Sequence, residues 1–564
     1  MQSLLIEKLK TDVLVIGAGA GGMMAAISAA DHGADVMLCE KGNARRSGGI
    51  TAGNDHFFCY IPEIHGKGAR ESFIHSIITD SLIDADIACK YIDLSYDVLR
   101  KWESWGITLK TDGHYEFTGH GWPGSSGKMG EPGKTDREYI HFSDAELCPK
   151  LERQVRQRGV SVMNRIMMTR LLKNPDGAII GAIGISTREP ILFVIGAKSV
   201  VLNTGAVSGT RLYPSTYLKS YSMAEPGTGD GDVMAFKAGA ALQNAEFCYR
   251  QTGLRFGPWA GRGTWVGVLR DADGKPIAPP YLSAPDPEIG DPAVENPDAI
   301  DHVWTAGKGP VWMDARGISR ENEKYMRWGF ESEALQPFLN WIDSEIIDFG
   351  TNRFEFTVFQ PRTNIQMRID ANFQTSVTGL YAILRSGISR SAVGGLVSGK
   401  AAALYSQDIE SPATDDFQAT IQETKQSYED MLNRKGERYA EWREAQWAIW
   451  QIMHCYALPP KRTENSLMAG YNQLLRLRDR SHKILKARNQ HELYHCLEVL
   501  NLMDISELVL LAVNERKESR SQARRLDYPF TNPMLDKFLV VMKKQGKPVF
   551  SWESPKRLDL SANE

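Results

Sequence analysis

Three arginines, Arg250, Arg255 and Arg262, fall within one short aromatic-bearing stretch, residues 247–265. A guanidinium is planar and permanently charged, and its fork of N–H donors matches the oxygens of a carboxylate or sulfate. The stretch is therefore a candidate site for a small anion, with solvated surface arginine as the competing reading for each residue. Upstream, Asn54-Asp55-His56 brings in an imidazole, which titrates near neutral pH. His56 is accordingly a candidate acid or base, or else a hydrogen-bonded structural histidine. The seven cysteines, Cys39, Cys59, Cys89, Cys148, Cys248, Cys455 and Cys496, include no C-x-x-C pair, so neither a zinc site nor a cysteine-ligated iron-sulfur cluster is expected.

The most informative spacing lies near the N-terminus. Thr11-Asp12-Val13-Leu14-Val15-Ile16 reads as a buried strand, Gly17-Ala18-Gly19-Ala20-Gly21-Gly22 as a glycine turn opening a helix, and Ala34-Asp35-Val36-Met37-Leu38-Cys39 as a second strand that delivers Glu40. Gly17, Gly19 and Gly22 let backbone approach a pyrophosphate, the helix N-terminus favours its charge, and Glu40 suits a ribose hydroxyl. That carboxylate would repel a 2′-phosphate, which argues against NADP. After Lys41, the long run of small residues through Ser47, Gly48 and Gly49 to Gly53 suits a flavin ring lying against backbone.

These groups need a scaffold. At 564 residues, with 42% hydrophobic residues, the chain is large enough for two or three domains. The net charge of −3 gives no general attraction to nucleic acid or an anionic membrane. No signal peptide or membrane-length apolar run is seen, so a cytoplasmic protein without membrane insertion is expected. Helical spacing covers 70–105, a polar excursion with His114, His120 and Trp122 covers 112–137, and strands follow at 181–186, 190–196 and 197–205, the last closing on Thr204-Gly205. Gly227-Thr228-Gly229-Asp230-Gly231-Asp232 opens another helix, as an anion-compatible turn or a plain N-cap by Asp230. Residues 392–403 read as a helix starting on Gly394 and Gly395, whose N–H groups suit the developing negative charge of a flavin or serve only packing. Trp442, Trp447 and Trp450 crowd into the helical region that follows and are expected to be core.

The assembled motifs resemble the flavoprotein subunits of the fumarate reductase, succinate dehydrogenase and adenylylsulfate reductase superfamily. The resemblance rests on the Gly17–Glu40 unit, Ser47-Gly48-Gly49, Gly227-Thr228-Gly229-Asp230-Gly231, Thr375-Ser376-Val377-Thr378-Gly379-Leu380-Tyr381-Ala382, and Glu518-Ser519-Arg520 with Arg525-Leu526-Asp527-Tyr528-Pro529. Gly181-Ala182-Ile183-Gly184-Ile185-Ser186 and the strand ending in Asn203-Thr204-Gly205-Ala206 look most like the adenylylsulfate reductase α subunit. The implied fold is α/β: a Rossmann-like, glutathione-reductase-like FAD-binding domain in two parts (1–250 and 355–410), an inserted α+β capping domain (251–354), a helical domain (411–530) and a C-terminal tail (531–564).

The resemblance also implies FAD, a redox partner in the form of a ferredoxin-like iron-sulfur subunit, a small anionic substrate, and Arg255 as the arginine that holds it. Arg46-Ser47-Gly48 stands where covalent relatives carry a flavin-linking histidine, so the FAD is expected to be non-covalent. Leu384-Arg385 replaces the family's Gly-acidic pair, and Glu246-Phe247-Cys248-Tyr249-Arg250-Gln251-Thr252-Gly253 lacks the histidine with which fumarate reducers hold a carboxylate. The function expected is a catalytic flavoprotein of adenylylsulfate-reductase type. The alternatives are a reductase or dehydrogenase of an activated C=C or C–C bond and a non-catalytic electron-transfer subunit.

Overall fold

The strands, in chain order, are β1 (Leu5–Ile16), β2 (Val36–Glu40), β3 (Asn54–Phe58), β4 (Glu116–Thr118), β5 (Tyr139–Ser143), β6 (Ser161–Asn164), β7 (Ile166–Lys173), β8 (Ile179–Ser186), β9 (Ile191–Leu202), β10 (Leu242–Gln243), β11 (Cys248–Leu254), β12 (Val268–Arg270), β13 (Val311–Asp314), β14 (Arg353–Thr363), β15 (Gln366–Met367), β16 (Leu380–Ala382), β17 (Phe538–Lys544) and β18 (Lys547–Glu553). The computed structural model describes residues 2–52, 54–81, 83–118, 139–213, 226–256, 258, 265–282, 284–286, 290–332, 336–384, 387–412, 417–436, 438–458 and 462–558. Arg262, His120, Trp122 and Arg385 lie outside them.

The largest sheet runs in the order β6-β2-β1-β9-β8-β7, with β16 also on β9. Its centre is parallel, β6, β2, β1, β9 and β16, and a meander adds β8 and β7 antiparallel. Strands covered on both faces read as unbroken apolar runs. Val13, Leu14 and Val15 on β1 and Val200, Val201 and Leu202 on β9 are such runs, all fully buried. The segments read from sequence as two strands, 190–196 and 197–205, form the single strand β9, because β1 pairs along nearly all of it.

Two helices, Ala20–Asp31 and Ile388–Gln407, pack against this sheet and each other. Their approach is close enough that a Cβ on Gly395 would strike the Gly21 carbonyl oxygen. The second helix therefore begins at Ile388, ahead of Gly394 and Gly395, which lie inside it.

Residues between β11 and β14 carry a separate core. Trp265 is 1% exposed there, surrounded edge-on by Phe330, Phe338, Phe349, Phe354 and Phe356. The sheet β11-β14-β13-β12 covers this core, and β11 and β14 are the two stalks that join it to the rest of the chain. Four α-helices follow, Gln418–Asn433, Trp442–Ile452, Glu464–Ile484 and Gln490–Glu515. Thr463 caps the third by accepting from the Ser466 amide at 3.2 Å, and Asn489 caps the fourth by accepting from the Glu492 amide at 3.0 Å.

The segment read as a tail is not one: β17 and β18 form a hairpin, and β17 pairs with β10 in the sheet β15-β10-β17-β18. Burial of Phe538, Leu539, Val540 and Val541 supplies the reason. No helix among the described residues is long and apolar enough to cross a membrane.

Candidate functional site

The glycine turn after β1 is built for close approach. Gly17 has φ +98°, and a Cβ there would collide with the Asn203 carbonyl, while one on Gly22 would overlap the Gly17 carbonyl oxygen. Glu40 at the end of β2 spans the turn: its carboxylate accepts from the Ala18 amide at 2.8 Å and the Gly42 amide at 2.7 Å. Gly48 lies against the turn, since a Cβ on it would sit 2.9 Å from Gly19 Cα, and the Ser47 hydroxyl donates to the Asn43 carbonyl at 2.9 Å. Across the cradle, at the end of β9, the Thr204 hydroxyl is buried with no hydrogen-bond partner, next to Gly205 at φ +73°. A buried orphan hydroxyl beside a bare glycine turn and a half-buried carboxylate fits a dinucleotide. Gly17, Gly19, Gly22, Glu40, Ser47, Gly48, Gly49, Thr204 and Gly205 would hold it.

Lys41 and Asp230, expected at the cofactor, are spent on each other. The Lys41 ammonium contacts Asp230 at 2.8 Å and Glu498 at 2.7 Å and donates to Thr228 Oγ1 at 3.1 Å. Asp230 also accepts from Asn501 at 2.9 Å, and Glu498 contacts Arg211 at 3.3 Å and His495 at 2.7 Å. Burial disfavours the Glu498 charge, but Lys41, His495 and Arg211 outweigh it and hold the carboxyl at about 2. Burial likewise opposes the Lys41 charge, yet Asp230 and Glu498 raise that group above its usual value. The cluster rivets the dinucleotide sheet to the Gln490–Glu515 helix.

Gly394 and Gly395 also need correction. Their N–H groups belong to the helix interior, and Gly395 is required by the packing on Gly21 and Met24. The exposed donors of that helix are those of its first turn, which starts at Ile388 and has no side-chain cap. This turn meets the flavin-loop side directly. Ser389 Oγ accepts from the Phe58 amide of β3 at 3.0 Å, and the Arg390 guanidinium lies 5.7 Å from the Phe58 ring centre.

His56 lies on β3, half-buried, with its ring 5.4 Å from His141 and 6.4 Å from Tyr139 on β5. His141 Nδ1 contacts Glu116 on β4 at 3.2 Å. Sequence reading found His56 and missed His141 and Glu116, because only the β3-β5-β4 pairing brings them together. The side chains of Asn54 and Asp55 lie outside the described ones.

Alternation along β11 decides what its arginine does. Cys248, Arg250 and Thr252 are buried; Tyr249 and Gln251, pointing the other way, are half-exposed. Arg250 is 4% exposed and bound by Asp298 and Asp301, so it ties β11 to the Pro297–Thr305 helix rather than facing a cleft. Arg255 is bound by Glu355 of the paired stalk and packs on Phe256 and Trp304 at 5.2 and 5.5 Å. Both stand in ion pairs within the inserted region. Arg262 lies outside the described residues.

The half-exposed face of β11 presents different groups. Gln251 Nε2 donates to the Tyr249 hydroxyl at 3.3 Å, and Arg362 of β14 lies 5.2 Å from the Tyr249 ring centre. Arg362 pairs in register with Tyr249 and bridges to Ser208, so this face stands beside the loop that follows Thr204-Gly205. Behind it, Arg462 is fully buried with Nη1 and Nη2 unpartnered, facing Tyr213 and Cys248.

With this geometry in place, comparison with known proteins is decisive for the family. Residues 12–383 match the FAD binding domain family, and residues 448–554 match the fumarate reductase flavoprotein C-terminal family. The chain belongs to the FAD-binding flavoproteins of the fumarate reductase, succinate dehydrogenase and adenylylsulfate reductase superfamily. It is thus an FAD-dependent oxidoreductase. It is 25% identical over 586 residues to one subunit of the fumarate reductase (CoM/CoB) of Methanothermobacter marburgensis, covering 95% of this chain and 98% of that one. It is 23% identical over 569 residues to the Escherichia coli fumarate reductase flavoprotein subunit, covering 93% and 89%.

Its fold matches adenylylsulfate reductase from Archaeoglobus fulgidus with a TM-score of 0.80 at 20% identity, over 99% of this chain and 97% of that chain. It matches E. coli quinol fumarate reductase with a TM-score of 0.81, also at 20% identity, over 98% of each chain. At these identities the structural likeness speaks for the fold alone.

Proposed function

We propose that this flavoprotein is the catalytic subunit of an adenylylsulfate-reductase-like system, exchanging two electrons between a small anionic substrate and an iron-sulfur partner. The observation that carries the reading is the half-exposed face of the two stalks, where Arg362, Gln251 and Tyr249 converge next to the dinucleotide cradle. FAD, when bound without a covalent link, supplies the two-electron chemistry. Arg362 holds an oxyanion in its guanidinium fork, while Gln251 and the Tyr249 hydroxyl orient the substrate. His56 moves a proton at its imidazole, steered by His141 and Glu116. N–H groups of the first turn after Gly387 favour negative charge on the side of the flavin loop. Absence of any C-x-x-C pair from the sequence leaves the onward electrons to a separate cluster-bearing protein.

Reduction of an activated C=C bond is the second reading, favoured by the fumarate reductase names of the sequence relatives. Anaerobic visible spectra separate the two. Flavin bleaching by sulfite, reversed on adding AMP together with ferricyanide to take up the two electrons left on the flavin, supports the first reading. Rapid reoxidation of the photoreduced protein by fumarate, without a sulfite response, replaces it by the second. Arg362→Lys is expected to lower turnover by about a hundredfold or more with FAD content retained, since a lysine lacks the planar fork. Arg255→Ala should stay within about twofold of wild type, because that arginine is bound by Glu355.

A further inference from the structure

Five buried polar atoms on the inward side of β11 have no hydrogen-bond partner: Arg462 Nη1 and Nη2, Arg250 Nε, the Tyr213 hydroxyl and Thr363 Oγ1. Cys248 and Arg250 share the buried face of β11, and Thr363 stands directly opposite Cys248 on β14. Tyr213, at the end of the short helix Gly209–Leu212, and Arg462, just ahead of the helix Glu464–Ile484, both face Cys248. Arg462 is fixed there: its Nε donates to the Ala457 carbonyl at 2.5 Å, and its own carbonyl accepts from the Leu526 amide at 2.8 Å. The far end of the guanidinium is held in place, 0% exposed, with both of its NH₂ groups open.

The charge there is unbalanced. No carboxylate among the described residues pairs with Arg462, and Arg250 beside it is already neutralised by Asp298 and Asp301. The two neighbouring groups that could ionise stay neutral, since burial pushes the Cys248 thiol up to about 11 and lifts the Tyr213 phenol well above its ordinary value. Burial also disfavours the Arg462 charge, and the like charge of Arg250 adds to the effect. Arginine nevertheless keeps its proton in proteins, and a buried charge without a counterion is strongly destabilising. Water would satisfy the hydrogen bonds and leave the charge. Donors from a guanidinium, a phenol and a hydroxyl call for an anion, and full burial admits only a small one.

We infer that Arg462, Tyr213 and Thr363 bind one small monovalent inorganic anion of the halide class behind β11. Arg462 supplies the charge and two donor groups, Tyr213 and Thr363 supply their hydroxyls, and Arg250 Nε closes the side toward the inserted region. The anion braces β11 on the face opposite Tyr249 and Gln251, so the inference is independent of the substrate reading above. No residue of the dinucleotide cradle takes part in it.

Bromide is the first probe. Crystals of the full-length, FAD-loaded protein grown in bromide, with data collected at the bromine absorption edge, should show an anomalous peak within hydrogen-bond reach of Arg462 Nη1 or Nη2. In solution, replacing gluconate by chloride at constant ionic strength should raise the melting midpoint by about 1–3 °C. Tyr213→Phe removes one donor and should raise the half-saturating chloride concentration about tenfold, and Arg462→Gln should abolish the chloride dependence, each with flavin absorbance per chain at the wild-type value. Crystals that carry bromide on the surface but none at Arg462, a water or a carboxylate of the chain itself seated there, or a chloride response unchanged in Tyr213→Phe would each overturn the inference.

Discussion

Replacing Glu498 by Gln tests the rivet between the dinucleotide sheet and the Gln490–Glu515 helix. The carboxylate is 1% exposed and meets Lys41, Arg211 and His495. A carboxyl lowered from 4.5 to about 2 contributes about 3 kcal/mol to folding at neutral pH. Structural reasoning reaches a similar value: Glu498→Gln leaves Lys41 with Asp230 but takes from Arg211 its carboxylate, and breaking a buried pair in this way costs about 3–5 kcal/mol. Gln retains the size and can still accept a hydrogen bond, which favours the lower end.

Thermal melting of the FAD-loaded protein, followed by circular dichroism, should show a midpoint lower by about 2–3 °C. The pH dependence has a definite sign. Because the folded carboxyl is depressed, its contribution is complete above about pH 4.5 and fades as the pH falls through about 2. The gap between wild type and variant should therefore shrink to less than half by about pH 3. A variant that melts within about 1 °C of wild type at pH 7, or a gap that widens in acid, refutes the reasoning.

Other consequences can be checked on the same protein. Gly22→Ala, whose Cβ would overlap the Gly17 carbonyl, should reduce FAD content at least about tenfold at unchanged helicity, read from flavin absorbance per chain. Thr204→Val keeps the shape but removes the orphan hydroxyl; if the hydroxyl serves the dinucleotide, FAD affinity falls by about 1 kcal/mol, and unchanged affinity in a fluorescence titration removes Thr204 from the cradle. Arg250→Met removes the contacts of Asp298 and Asp301 with β11, leaving Asp298 paired with Arg524, and should destabilise the inserted region by about 1–3 kcal/mol in urea unfolding, with FAD content unaffected.

The dinucleotide unit was legible in the sequence because its signals are local: strand, glycines, helix and Glu40 follow one another within one βαβ unit. FAD and the superfamily, expected from those motifs, are shown by the family matches. The ion pair of Lys41 and Asp230 was not legible, for the opposite reason. Both flank motifs that handle phosphate, yet their side chains are claimed by Glu498 and Asn501 on a helix far along the chain. The helix assigned to Gly394 and Gly395 starts earlier because Gly387, at φ +95°, turns the chain without any side-chain cap to mark the place.

Arg250 shows what residue type alone leaves open. A guanidinium beside aromatic residues reads as a ligand for an external anion, but a protein carboxylate satisfies the same donors equally well. The competing signal was present: Asp298 and Asp301 are spaced to share one face of a helix that Pro297 opens. What the sequence lacked was the distance that brings that face to β11 and turns Arg250 inward. Once Arg250 is committed there, strand alternation leaves Tyr249 and Gln251 on the open side, with Arg362 opposite. On the proposed reading, substrate selection should therefore follow changes at Arg362 and Gln251 and be indifferent to Arg255.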